Sequence, residues 1–191
     1  MPTGVALRDA REQLFAAAER VVLRAGPNGL TSRAVTAEAG VAKGVLHRHF
    51  PDFDAFLAEL VLDRIGRLDE LSLGAAAGTG TVTDNLTAAL TDVFGPVAVA
   101  IVGLVTFRDG LRARLHQAGL PGIPLLAQAT ALIAAYLAAE RDLGRIAADA
   151  DPDTLALTLI GSAHLLFAGR DDPAPADEVR RIVAAVVTPA G

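Results

Sequence analysis

The sequence predicts an all-α protein of about nine helices. Apolar side chains recur at steps of three and four residues through most of the chain, and glycine or proline separates these stretches. No segment shows the alternating pattern that is typical of a β-strand. Because hydrophobic residues make up 52% of the 191 residues and charged residues only 20%, the helices can bury a substantial core.

The composition excludes several kinds of site. The chain has no cysteine, so disulfides, thiolate zinc sites and cysteine nucleophiles cannot form. The first residues lack the basic and apolar stretches of a signal peptide. Pro121 and Pro124 interrupt the uncharged segment at residues 115–139, which leaves its helical part too short for a membrane span. We therefore expect a cytoplasmic protein that does not cross a membrane.

Charge is distributed unevenly along the chain. The formal net charge is −5. Residues 1–50 carry seven basic and four acidic side chains, a net charge of +3, so residues 51–191 carry −8. Any polyanionic partner should therefore meet the N-terminal quarter of the chain.

The N-terminal region predicts three helices. Apolar residues from Leu7 to Ala25 form one stripe, which stops at the Gly-Pro-Asn-Gly sequence of residues 26–29. Thr31 is placed to cap a short second helix at residues 32–39, and a third follows at 43–49. Gly40 lies between them, where a helix-turn-helix needs a residue that adopts a positive φ. The pattern alone leaves DNA binding and a plain helical hairpin open.

Six more helices are predicted after the helix-turn-helix pattern. Asp52 is a good N-cap for the fourth helix, and Asp54 lies in its first turn, where the helix dipole favours an anion. Residues 73–83 are rich in glycine and alanine and predict a loop. The later helices are predicted at residues 84–94, 97–117 with a bend near Gly103 or Gly110, 125–142, 152–168 and 176–187.

Residues 7–64 resemble the N-terminal domain of TetR-family transcriptional regulators. The matching stretches are GPNGLT at 26–31, VTAEAGVAKG at 35–44 and HFP at 49–51, followed by Phe56-Leu57. The resemblance implies a three-helix helix-turn-helix DNA-binding domain at residues 1–50 and a helical ligand-binding and dimerisation domain at 51–191. It also implies that the helix at 152–168 and the last helix form a dimer bundle.

The function that the resemblance implies is that of a ligand-responsive transcriptional regulator. Such a protein binds a palindromic double-stranded DNA operator as a homodimer, usually as a repressor, and a small-molecule effector releases it. A helical small-molecule-binding or interaction module without specific DNA binding stays open as the alternative, and the negative net charge favours it.

The resemblance also implies which residues meet DNA. The helix at 43–49 would enter the major groove, where Lys43 could contact guanine or a phosphate and Val45 a thymine methyl, while Gly44 would allow close approach of the backbone. The start of the preceding helix would contact phosphates. The implied DNA-binding residues are Thr31, Ser32, Arg33, Lys43, Gly44, Val45, His47, Arg48 and His49.

Several positions depart from the family pattern. His47 stands where tyrosine is usual, Ala42 where serine or threonine is common, and Thr36 where alanine is usual. Phe53 stands where the family often has lysine, and a phenylalanine cannot bind a phosphate. We therefore expect weaker non-specific affinity for DNA, because fewer phosphates are neutralised.

Five residues are candidate contacts for a small-molecule effector in the region 56–142: Phe94, Phe107, Arg108, Arg112 and Tyr136. The two arginines, with Arg114 beside them, either form a solvated face or clamp a carboxylate, since arginine forms bidentate pairs with carboxylates. The three aromatic residues either line a pocket or belong to the core. The sequence leaves both pairs of alternatives open.

No residue pattern predicts catalysis, a cofactor or a metal site. The chain has no Gly-x-Ser-x-Gly, no phosphate loop and no His-Glu-x-x-His sequence. His47 and His49 are two residues apart and do not share a helix face. The acidic cluster at residues 149–153 lacks the glycine and the later glutamate of a calcium loop, so it predicts helix capping. We therefore expect a protein that is not an enzyme.

Overall fold

The computed structural model describes residues 4–69, 73–168, 170 and 174–188, with side chains of residues 10–68 in the first of these segments. The described residues are all helical or irregular apart from one isolated bridge residue, which confirms the all-α prediction. The ten α-helices among them are α1 Gly4–Gly29, α2 Ser32–Glu38, α3 Gly44–His49, α4 Phe53–Asp69, α5 Val82–Val93, α6 Pro96–Phe107, α7 Asp109–Gln117, α8 Pro124–Asp142, α9 Pro152–Ala168 and α10 Ala176–Val186.

Packing divides the chain into two compact units. The first contains the residues up to 63 together with residues 100–123, and the second contains residues 64–99 and those from 124 onward. One boundary lies within α4, and the other lies within α6 between Val99 and Ala100. The DNA-binding and regulatory domains, predicted at 1–50 and 51–191, stay a proposal about function.

The core of the first unit is built on the apolar stripe of α1. Leu14, Phe15 and Val21 are buried there. The ring of Phe15 lies 6.1 Å from that of Phe50 and 5.6 Å from that of Phe56, measured between centroids. Phe50 has an extended backbone that ends α3, so its burial fastens the end of α3 to α1 and α4.

One predicted helix is two helices in the structure. The sequence predicts a single bent helix at residues 97–117, whereas α6 ends at Phe107 and α7 begins at Asp109. Between them Arg108 has an extended backbone, with φ −111° and ψ 96°. The break lies two residues before Gly110 and accounts for the tenth helix, because all other helices were predicted.

The second unit is a bundle of α5, α8, α9 and α10. α8 packs on α9, and α10 packs on both α5 and α9. Leu86, Leu137, Leu159 and Val183 are each fully buried in this core. Arg180 of α10 also forms an ion pair with Asp84 of α5.

A buried carboxylate holds the loop before α5 in place. Glu140 of α8 is fully buried; its Oε1 accepts a hydrogen bond from the Gly78 N–H at 3.1 Å, and its Oε2 lies 2.7 Å from Nε of Arg145. Arg145 also donates to the Gly80 carbonyl at 2.6 Å. The predicted loop at 73–83 contains a 3₁₀ turn at Gly74–Ala76. It is hydrogen-bonded to Glu140 of α8 and to Arg145, which follows α8. A buried charge needs such partners, since desolvation would otherwise be costly.

Among the residues that the structure describes, no single helix is both long and apolar enough to cross a membrane, although α5 and α6 together meet the criteria of length and composition.

Candidate nucleic-acid interface

Two local features set the geometry of the turn between α2 and α3. Thr31 caps α2, because its Oγ1 accepts a hydrogen bond from the Ala34 N–H at 3.2 Å. Gly40 has a φ of 66°. Its N–H donates to the Ala37 carbonyl at 3.2 Å, and the Val41 N–H donates to the Thr36 carbonyl at 3.1 Å. The cap and the positive φ predicted from the sequence are both confirmed.

Three buried side chains fix the inner faces of α2 and α3. Val35 and Leu46 are fully buried and Phe50 is 1% exposed. Thr36 is buried as well, and its hydroxyl donates to carbonyl oxygens of the preceding turn, at 3.0 Å for Ser32. With their inner faces held in this way, α2 and α3 present their remaining side chains outward.

The predicted DNA-binding residues lie on the outward side of this pair of helices. Lys43 precedes α3 as its N-cap residue, and its side chain makes no capping bond. No carboxylate within the described residues forms an ion pair with Lys43, Arg33 or Arg48. The exposed members of the predicted set are Thr31, Arg33, Lys43, Gly44, His47 and Arg48, and the half-buried members are Ser32, Val45 and His49.

Two acidic side chains near this surface form ion pairs with arginines of α1. Glu38 of α2 binds Arg20 Nε at 2.7 Å and Arg24 Nη1 at 2.9 Å, both on α1. The hydrogen bonds from Arg20 and Arg24 hold the pKa of Glu38 below its usual value of 4.5. Arg11 pairs with Glu59, so α1 is also joined to α4. The cations that stay exposed therefore give the outer surface a positive character that suits phosphates.

The start of α4 contains contacts that sequence reasoning missed. Asp52 caps α4 as predicted, since its Oδ1 accepts from the Ala55 N–H at 2.8 Å. Its other oxygen binds Arg114 Nη2 at 2.6 Å, and Asp54 Oδ1 binds Arg108 Nε at 2.5 Å. The arginine cluster was the only sequence signal for these pairs, and it did not identify the partners.

The predicted effector contacts fall into two groups. Phe94 and Tyr136 are buried in the second unit, where Phe94 stacks on Phe167 with 5.4 Å between centroids. The Tyr136 hydroxyl accepts from Asn85 Nδ2 at 3.0 Å.

The other three predicted contacts lie in the first unit. Phe107 is 84% exposed, Arg108 pairs with Asp54, and Arg112 pairs with Asp109 on its own helix. The effector-binding set stays a prediction. The described residues also contain no group of three or more histidine, cysteine, aspartate or glutamate side chains that could hold a metal ion.

The helix-turn-helix coincides with a known family model. Residues 14–60 match the N-terminal domain model of the bacterial regulatory proteins of the tetR family. This part of the chain is similar to the N-terminal domain of that family. This confirms the resemblance seen in the sequence. No curated protein matches the chain.

Solved structures extend the likeness to the whole TetR fold. The reduced form of NemR from Escherichia coli is 17% identical, with 94% of this chain and 97% of that chain covered and a TM-score of 0.74. FadR from Bacillus subtilis, in complex with stearoyl-CoA, is 16% identical, with 93% and 99% covered and a TM-score of 0.69. A Saccharomonospora viridis protein in complex with choline is 17% identical, with 95% and 99% covered and a TM-score of 0.68.

Proposed function

We propose that this chain is a ligand-responsive transcriptional repressor that binds a palindromic operator as a homodimer and is released by a small molecule. The observation that carries the proposal is Lys43 at the start of α3, next to the Gly40 turn in the segment that matches the tetR-family model. Lys43 is exposed and forms no ion pair with any carboxylate among the described residues. The role is one of binding and not of catalysis.

DNA binding follows from the outward surface of α2 and α3. In this proposal α3 lies in the major groove, where Lys43 and Val45 reach base edges and Gly44 lets the backbone approach. Thr31 and Arg33 at the start of α2, with Arg48 of α3, contact phosphates. Each of these side chains is exposed or half-buried in the first unit, as such contacts require.

Dimerisation is supported by the surface of α9. Leu157 and Leu165 are 65% and 79% exposed, and Gly161 is exposed between them at a spacing of four residues. Residues at this spacing lie on one helix face, so α9 presents an apolar strip with a small residue in the middle. A second copy related by a two-fold axis would cover both strips with the same contacts.

Release by an effector requires a ligand that distinguishes two conformations of the dimer. FadR and the Saccharomonospora viridis protein are structures of this fold with stearoyl-CoA and choline bound. For this chain we propose an organic small molecule that contacts the region 56–142. Phe94 and Tyr136 are the proposed contacts in the second unit.

Selection of bound duplexes from a random library, at two salt concentrations, tests the proposal. We expect an enriched palindrome whose affinity falls as salt rises, because phosphate contacts release counterions. Lys43→Ala should weaken binding to that palindrome by about 1–3 kcal/mol if Lys43 reads a base. Arg112→Ala is the matched control, since it also removes an exposed cation from the first unit but lies outside α2 and α3.

The results separate the two candidate functions. If Lys43 contacts only a phosphate, the loss will be uniform across sequences and the salt slope will fall by about one. If no sequence is enriched and binding does not depend on salt, the chain is a helical binding module without specific DNA recognition. Equal losses of operator affinity in Lys43→Ala and Arg112→Ala would also contradict the proposal that α2 and α3 contact the DNA.

A further inference from the structure

Two ion pairs join the start of α4 to α7 within the first unit. Arg108, the N-cap residue of α7, binds Asp54 through Nε at 2.5 Å, and Arg114 binds Asp52 at 2.6 Å. The four side chains are between 30% and 49% exposed. Each pair is therefore accessible to water and contributes modestly, yet both act on the same turn of α4.

Asp52 and Asp54 are held by more than their arginine partners. Asp52 uses one carboxylate oxygen to cap the Ala55 N–H and the other to bind Arg114. Asp54 packs against the first turn of α7 at Gly110, where a Cβ would collide with its Oδ2 and lie 3.3 Å from its Cγ. A larger residue at position 110 would therefore push the Asp54 carboxylate away from its present position.

Phe53 connects these pairs to the recognition helix. Its ring lies 5.2 Å from Cζ of Arg108 and stacks on Phe56 with 5.5 Å between centroids. Phe56 in turn packs edge-on against Phe50, with 5.1 Å between centroids, and Phe50 ends α3. Side-chain contacts thus run without a gap from α7 through the start of α4 to the end of α3.

The α4–α7 latch is defined here as Asp52, Phe53, Asp54, Arg108, Gly110 and Arg114. We propose that Arg108 and Arg114 are positioning residues that hold α4, and through it α3, in the arrangement that binds the operator. The inference rests on the proposed DNA binding. The proposal also gives Phe53 a role. A lysine at this position would reach a phosphate, whereas this chain has an aromatic ring that lies against the Arg108 guanidinium. The carboxylates that Arg108 and Arg114 bind in this structure belong to the chain itself.

Operator affinity measures how far the latch favours the binding arrangement. An arrangement that is only partly populated lowers the apparent affinity in proportion to its population. From the strength of half-exposed ion pairs and of an arginine over a ring, Arg108→Gln should weaken operator binding about three- to tenfold. Arg108→Lys keeps the charge and should restore part of the loss. Arg112→Gln should leave the operator affinity measured without any effector unchanged, because its pair with Asp109 lies within α7.

A double-mutant cycle shows whether the loss passes through Asp54. The variants are Asp54→Asn, Arg108→Gln and the two combined, measured by fluorescence anisotropy on the duplex enriched from the random library. If the latch acts as proposed, the double variant binds no more weakly than the weaker-binding of the two single variants. Additive losses, an unchanged affinity in Arg108→Gln or tighter binding in any of the three would overturn the proposal.

Hydrogen exchange tests the latch without DNA. Backbone amides of residues 54–57 should exchange severalfold faster in Arg108→Gln than in the wild type, and at wild-type rates in Arg112→Gln. If the wild type binds no duplex but exchange responds in this way, the proposed DNA binding fails and the latch stands as the contact that orders α4. If exchange in Arg108→Gln equals that of the wild type, the latch does not hold α4, whatever the DNA result.

Discussion

Gly40 and Gly44 flank the turn of the helix-turn-helix, and replacing each by alanine should change stability in opposite directions. Gly40 has a φ of 66°, in the left-handed region, whereas Gly44 is the first residue of α3. A Cβ built at either position meets nothing within 4 Å. Collision with other parts of the chain therefore contributes at neither site, and the difference isolates the local backbone conformation.

The expected change in the free energy of unfolding follows from the backbone conformation at each glycine. Alanine in the left-handed region costs roughly 1–2 kcal/mol, so Gly40→Ala should lower the free energy of unfolding by that amount. Gly40→Asn should lose less, because asparagine tolerates this region, and Gly40→Val should lose most. Gly44→Ala should be neutral or stabilising by up to about 1 kcal/mol, since alanine favours helix over glycine.

Thermal unfolding followed by circular dichroism measures these effects. For a chain of this length each kcal/mol shifts Tm by about 2–4 °C. Binding to the enriched duplex gives a second readout: Gly44→Ala should bind more weakly despite its stability if the backbone approaches DNA there. A Gly40→Ala variant that melts with the wild type, or a Gly40→Val variant more stable than Gly40→Asn, would refute the argument from φ.

Two further predictions concern pH. Burial raises the pKa of Tyr136 to about 12. Because the chain has one tyrosine, absorbance at 295 nm reports its ionisation alone. The tyrosine of the unfolded chain loses its proton near pH 10, whereas Tyr136 in the folded chain keeps it. We therefore expect the contribution of Tyr136 to the free energy of unfolding to be complete below pH 10 and to be lost as the pH rises towards 12. A titration midpoint near the ordinary value of 10 would contradict this. Hydrogen bonds from Arg20 and Arg24 lower the pKa of Glu38. The contribution of Glu38 to the free energy of unfolding is therefore present above pH 4.5 and is lost as the pH falls through the folded-state pKa. The urea midpoint of the wild type should therefore exceed that of Glu38→Gln at pH 7, and the difference should shrink in acid; a difference independent of pH would show that the ion pairs do not cause it.

The buried network around Glu140 shows why some local predictions were incomplete. Residues 73–83 predict a loop from their glycine and alanine content. The backbone is irregular as far as Thr81 apart from one 3₁₀ turn, and α5 begins at Val82. However, the Gly78 N–H donates to a carboxylate 62 residues away. No local pattern predicts that Glu140 is fully buried, because a glutamate near the end of a helix is usually solvated.

The sequence by itself determined the all-α class, the cap at Thr31, the cap at Asp52 and the positive φ at Gly40, because each depends on residues within about four positions. It also placed the predicted DNA contacts on two short helices, whose outer faces the structure leaves exposed. Only the tertiary structure decided the break at Arg108 and the position of the Arg108 guanidinium over the ring of Phe53. Asp54, which binds Arg108, is 54 residues away in the sequence, and the folded chain alone brings that carboxylate to the start of α7.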